Sequence, residues 1–408
     1  MSLLAIVFLF LVPCAFLKFG MKKGLTYPAT LFSFVFLIVL LMALLSHYFF
    51  GYYYISLETY AIYGLGNISF IMGSLLITSV QRTSPRRFEP LVNGRGKWLN
   101  IFFHVLLLLC LLYSPVIYDE FMAVTPNGPI SIRILRLREY GLTQQVYSTL
   151  TNNFIIISTF LVMLSAYLFS RKKIRFPLFA LSYLLFAYYN FLTGTRAAII
   201  LITVAIMFIY LVCAEKKSKL LLVLILVSAF FLGAVVAIYM GKDGMDRDAN
   251  FSDNISKVIE NYFSYTVQGV ILFDNYIVDR NKISENWDVL SGAKGVANKI
   301  AGADLFDINT KFSDFSYFSK DKDGNVYTIY FSVYPLYGLI GVFTFFVLYG
   351  AFCSFVYHRA NYVFVIILCY ISATLCLNVF NEQVFTNFIY TIKLLAFISL
   401  CRYFEKIK

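Results

Sequence analysis

Apolar runs close to the length of a bilayer crossing recur eleven times along this chain, at 2–17, 28–49, 60–80, 99–118, 153–170, 177–192, 197–213, 220–240, 336–356, 362–379 and 384–401. A helix needs about 20 apolar residues to cross the hydrocarbon core, and in lipid every backbone polar group must find its partner within the segment. With 60% hydrophobic and 14% charged residues, a soluble fold is excluded. The pattern predicts an all-α integral membrane protein, a polytopic bundle of about 11 transmembrane helices with one long aqueous loop. Residues 1–240 hold helices one to eight, 241–335 the large loop, and 336–408 the last three helices and a tail. Run 2–17 lacks a preceding basic region and a small-residue cleavage site, and reads as a retained first helix.

A net charge of +12 would suggest nucleic acid in a soluble protein, but here its distribution reports topology instead. The short loops 18–24, 81–98, 171–176, 214–219 and 357–361, with the tail 402–408, hold 19 of the 34 Lys and Arg. They face the cytoplasm by the positive-inside rule. Loops 50–59, 119–152, 193–196, 241–335 and 380–383 then face outward, with the N-terminus outside and the C-terminus inside. Within the long loop, Ile255, Val258, Ile259, Tyr262, Phe263, Val267, Val270 and Ile271 recur at helical spacing, an amphipathic helix that lies on the membrane or caps the bundle. The polar stretch 279–326 reads as turns. Thirty-one tyrosines against two tryptophans supply interfacial belts and faces on which sugars can stack.

The seven cysteines form no CxxC pair and the three histidines (47, 104, 358) form no ligand cluster, so neither disulfide nor metal is indicated. Two acidic runs resemble calcium loops only at their start: counted from Asp246, position 6 is Phe251 and position 12 is Lys257, and counted from Asp321, position 6 is Val326. Both read as solvated turns.

Chemistry concentrates in a few charges at the outward ends. Arg196 lies at the tip of the hairpin between the sixth and seventh runs. If the seventh helix starts near Thr195, its free N–H groups and dipole join the guanidinium in favouring an anion such as phosphate. Arg133 and Arg136, three apart in the second outward loop, share a helical face and can meet one diphosphate together. Lys393 sits midway along the last run, with Asn378 and Asn387 as polar candidates to satisfy it. Glu382, in the turn before that run, is half-desolvated and can act as a base. On one continuous helix Glu382 and Lys393 would share a face about 16 Å apart. Each has a structural alternative: snorkelling for Arg196, a basic interfacial helix for Arg133 and Arg136, a polar contact for Lys393, a cap for Glu382.

The chain resembles the O-antigen polymerase family of bacterial oligosaccharide repeat-unit polymerases. The resemblance rests on Thr193-Gly194-Thr195-Arg196-Ala197, on Asn325-Val326-Tyr327-Thr328-Ile329-Tyr330-Phe331 before Tyr337-Gly338-Leu339-Ile340-Gly341, and on the Asn381-Glu382 turn. It implies a GT-C-like glycosyltransferase of the bacterial inner membrane acting on undecaprenyl-diphosphate-linked oligosaccharide at the periplasmic face. Arg196, Arg133, Arg136 and Lys393 would bind the substrate diphosphate, and Glu382 and Arg196 would be catalytic. No cofactor, metal or nucleic acid is implied; membrane lipid and a chain-length-regulating membrane protein are the partners expected. O-antigen ligases of similar architecture are associated with a histidine in the large periplasmic loop, and 241–335 contains none. A flippase, the rival from another class, would show internal repeats and mid-membrane charges.

Overall fold

The computed structural model describes residues 2–81, 97–124, 147–193, 196–214, 251–278, 288–307, 315–380, 384–385 and 387–406, with backbone alone at Val124, Arg196, 251–256 and Val258. Its helices are α1 (Ser2–Gly20), α2 (Pro28–Phe50), α3 (Leu57–Val80), α4 (Lys97–Val124), α5 (Thr149–Ser170), α6 (Phe176–Leu192) and α7 (Arg196–Cys213). They continue with α8 (Phe251–Ile277), α9 (Ser291–Ala301), α10 (Tyr334–Arg359), α11 (Val365–Leu377) and α12 (Phe388–Lys406). A two-residue hairpin, β1 (Ser316–Tyr317) antiparallel to β2 (Asp323–Gly324), is the one sheet among the described residues.

Every predicted run except 220–240, which lies outside the described residues, coincides with a helix. Six of these helices have the length and hydropathy to cross a membrane: α1, α2, α3, α4, α5 and α10. The chain is thus an all-α membrane protein. Helix starts follow ordinary capping chemistry. Pro28 occupies the first turn of α2, where its missing N–H costs nothing. Ser56 and Ser148 cap α3 and α5 by accepting from Thr59 N at 3.3 Å and Thr151 N at 3.2 Å. Gly51, at φ 66°, ends α2 in the left-handed conformation that glycine adopts without strain.

The chain divides into two units, each discontinuous in sequence. Unit 1 comprises Met1–Arg86, Asn261–Arg359 and Thr374–Thr391; unit 2 comprises Arg87–Glu260, Ala360–Ala373 and Ile392–Lys408.

In unit 1, α3 and α10 cross at backbone contact. A Cβ on Gly73 would run into the Val347 carbonyl, and one on Gly350 into the Phe70 carbonyl. Ser74 Oγ donates to the Gly350 carbonyl at 3.1 Å across the same crossing. Small residues permit this approach, and hydrogen bonds and dispersion then replace the hydrophobic drive that lipid does not supply. α1 winds as π-helix at Val7–Leu11 and Phe16–Gly20, and the Leu9 carbonyl accepts from Asn67 Nδ2 at 2.8 Å while Ser33 Oγ donates to Asn67 Oδ1 at 2.8 Å. One buried amide therefore joins α1, α2 and α3. The second half of α8 belongs to the core: Val267, Val270, Ile271, Leu272 and Phe273 are fully buried. The stretch 279–326, read as turns, also contains α9 and the β hairpin.

Loops that the charge pattern places on one side gather at one end. Tyr53 N donates to Phe318 O at 3.0 Å and Ser56 to Asp274, joining loop 50–59 to the long segment. At the opposite end of unit 1, Thr78 Oγ1 lies 2.9 Å from Tyr27 Oη and 3.1 Å from His358 Nε2.

The last helix, α12, corrects two expectations. It begins at Phe388, after the non-helical residues 384–385 and 387, so Glu382 and Lys393 do not share one continuous helix. Lys393 is the sixth residue of α12, inside its second turn rather than midway. The tail also remains helical to Lys406, because Glu405, 2% exposed, accepts from Arg402 at 2.9 Å, Tyr167 Oη at 3.1 Å and Val363 N at 3.3 Å. Three donors hold a carboxylate that composition alone assigns to a solvated end.

Candidate functional site

The end of unit 2 assigned outward is organised by the α6–α7 hairpin. α6 closes at Leu192, where Thr193 N returns to Tyr189 O at 3.3 Å and Thr193 Oγ1 to Asn190 O at 3.0 Å. α7 opens on Arg196 itself. The arginine is the first described residue of α7 and lies in its first turn, among the backbone N–H groups that no helical carbonyl satisfies. The helix dipole adds the equivalent of about half a positive charge at the same point.

The second outward loop is fastened beside this tip at both of its ends. Tyr147, 6% exposed, donates its hydroxyl to the Leu192 carbonyl at 2.7 Å, four residues before Arg196. Burial pushes that hydroxyl's pKa up and the Glu120 carboxylate raises it further, so it stays a donor at any physiological pH. Next to it, Glu120 at the end of α4 accepts from Ser148 N at 3.1 Å and Ser148 Oγ at 2.8 Å. An anion supplied by the chain thus already occupies the start of α5. Tyr113 adds a hydroxyl contact to Thr151 at 2.7 Å and stacks on Phe154 with centroids 3.9 Å apart. The loop between these anchors, with Arg133 and Arg136, lies outside the described residues, as does Glu382; of Arg196 the backbone is described.

Lys393 is half-buried at the same end of α5. Its ammonium donates to Asn153 Oδ1 at 2.6 Å, in place of the Asn378 or Asn387 that sequence proximity favours. Asn153 follows the Ser148 cap by five residues, about 7.5 Å along the axis. Among the described residues Lys393 has no carboxylate partner, and a neutral amide leaves its full charge available to an anion. Asn378 is instead fully buried, and its backbone carbonyl accepts from Ile329 N at 2.9 Å.

Unit 1 has polar clusters of its own. Asp274, fully buried on α8, accepts at Oδ1 from Ser56 N at 2.8 Å and Ser56 Oγ at 2.6 Å, tying the long loop to the start of α3. Asp288, 2% exposed, accepts from Leu290 N at 2.8 Å, Tyr337 Oη at 3.0 Å and Lys294 Nζ at 2.6 Å. Its hydrogen bond raises the Lys294 pKa, against the opposing pull of burial.

Sequence reasoning placed Arg196 at this outward end and Lys393 midway along the last helix, and missed the supports of both. Ser148-x-x-Thr151 carried a readable capping signal, whereas Tyr147, Glu120 and Asn153 act through partners 28 to 240 residues away. No group of three or more His, Cys, Asp or Glu able to hold a metal occurs among the described residues. The seven cysteines are free thiols.

No family model, no curated protein and no solved structure matches this chain.

Proposed function

We propose that this chain is an O-antigen polymerase, a glycosyltransferase of the bacterial inner membrane with a periplasmic N-terminus and a cytoplasmic C-terminus. It joins undecaprenyl-diphosphate-linked oligosaccharide repeat units at the periplasmic face. The observation that carries the reading is the clamp in unit 2. Tyr147 and Glu120 fasten both ends of the loop bearing Arg133 and Arg136 beside the helix start at Arg196, with Lys393 held nearby by a neutral amide.

In the reaction, a hydroxyl at the non-reducing end of one lipid-linked unit attacks the anomeric carbon of the growing glycan. The new C–O bond replaces the bond to the carrier, whose diphosphate leaves with the electron pair, and the hydroxyl proton passes to a base. Fixed cations and helix dipoles stabilise charge where it develops on the leaving group. Arg196, Arg133, Arg136 and Lys393 serve that purpose, and Glu382 takes the proton. The decisive experiment is the lipopolysaccharide gel of a strain lacking this chain. Core bearing a single repeat unit, restored to a ladder by the wild-type chain, is the expected result. Core with no repeat unit would identify a flippase or a ligase instead.

Lys393 gives a second, sharper test. A lysine with no carboxylate partner is unfavourable within a membrane helix, less so in a second turn than at the centre, so Asn153→Asp, which creates an ion pair, is expected to leave thermal stability unchanged or raised. The same substitution cancels the charge offered to the diphosphate, and chain extension should fall about tenfold, the effect of about 1.4 kcal/mol in transition-state stabilisation. A normal glycan ladder from the Asn153→Asp chain would reduce Lys393 to a structural contact.

A further inference from the structure

At the end of unit 1 that holds Ser56 and Asp274, aromatic rings form a continuous wall. Tyr276 of α8 meets Phe331 edge-on at 5.4 Å and Tyr334 at 6.4 Å, and Tyr334 meets Phe273 edge-on at 5.7 Å. Phe273 and Phe331 are buried, so they back the wall; Tyr276 and Tyr334 are half-buried in front of them, and Tyr337 is 38% exposed. Interfacial tyrosines ordinarily turn the ring into the apolar zone and the hydroxyl toward water. Tyr337 does not. Its hydroxyl is given to Asp288, a carboxylate itself pinned by Lys294 and Leu290 N, so the ring is fixed by protein while its surface stays open.

Gly338, at φ 59° and ψ −157°, breaks α10 directly after Tyr337, with exposed Leu336, Leu339, Ile340 and Phe343 on either side of the break. One further feature sets this face apart from a lipid-facing belt. Glu58, exposed in the first turn of α3, lies within electrostatic reach of the Tyr334 hydroxyl. Open aromatic surface beside an exposed carboxylate suits an uncharged polyhydroxyl ring. The negative ring face attracts the weakly positive C–H face of a pyranose, and the Glu58 carboxylate can accept from its hydroxyls. The same carboxylate repels anionic headgroups and phosphate.

We infer that Tyr276, Tyr334, Tyr337 and Glu58 form an oligosaccharide-binding subsite, held in shape by Asp288 and Lys294. It rests on the polymerase reading in that it receives the sugar portion of a lipid-linked unit.

The test applies the detergent-purified full chain to an array of immobilised bacterial oligosaccharides. Wild type is expected to bind, and Tyr334→Ala and the exposed-site variant Glu58→Gln to weaken binding about tenfold or more for the ring and severalfold for the carboxylate. Folded wild type that binds no glycan, or both Tyr334→Ala and Glu58→Gln binding like wild type, overturns the subsite. Failure of the polymerase reading is separate, because it shows on the lipopolysaccharide gel and leaves the array result standing.

Discussion

Gly73→Val is expected to prevent unit 1 from assembling. Its added side chain has nowhere to go, because the first atom of any side chain at that position already meets the Val347 carbonyl, with the Ala351 backbone nitrogen 2.9 Å away on the same side. The obstacle is backbone, so no rotamer change relieves it and the helices must part. Overpacking in a well-filled core costs about 1–3 kcal/mol when side chains can yield. Here the separation also breaks the Ser74–Gly350 hydrogen bond and loosens the edge-to-face contact of Phe70 with Tyr349, so the loss should exceed that range. Gly350→Val meets the Phe70 carbonyl and should fail equally. Size-exclusion profiles of the detergent-solubilised chain provide the check: both variants lose the monodisperse peak. Gly24→Ala, whose nearest neighbour is Thr26 Oγ1 at 3.8 Å, keeps it. A folded Gly73→Val chain would mean that the α3–α10 crossing is not the contact on which unit 1 depends.

That crossing shows where sequence reasoning stops. Apolar runs located the helices because lipid demands continuous backbone pairing over a fixed length. They misjudged the ends, where polar residues finish a helix. Asp119 and Glu120 continue α4 past the predicted 118, Ser148 starts α5 ahead of the predicted 153, and Glu405 extends α12 into a tail read as loop. Gly73 and Gly350 carry no periodic signal that pairs them, since they are 277 positions apart and only the folded backbone makes them neighbours. The candidate site divides in the same way. Arg196 was legible, because a lone cation in a short break between two apolar runs is conspicuous. Tyr147, Glu120 and Asn153 were not, because each is an ordinary residue at a helix end until its distant partner arrives. Lys393 was noticed as a buried charge and given the wrong partners, since proximity in sequence says little about which helix packs alongside.

Replacing Arg196 by alanine should abolish chain extension while the protein still inserts. Two separate features at the start of α7 attract an anion, the guanidinium and the helix terminus, and their magnitudes differ enough to tell them apart. The terminus alone contributes about 0.3–1 kcal/mol, a factor of five or so. A charged donor aimed at a developing anion in a water-poor site is worth about a hundred- to a thousandfold in rate. If the terminus does the work, Arg196→Ala retains most of its activity; if the guanidinium does, the ladder collapses to a single repeat unit. Arg196→Lys should fall between, because lysine keeps the charge and loses the planar fork that grips a diphosphate at two oxygens. Folding should hardly change, since the sequence places this first-turn arginine at the edge of the membrane. The readout is the glycan ladder at matched membrane levels of each variant. A full ladder from Arg196→Ala would remove the leaving-group role from this residue, and with it the strongest reason for placing diphosphate chemistry in unit 2.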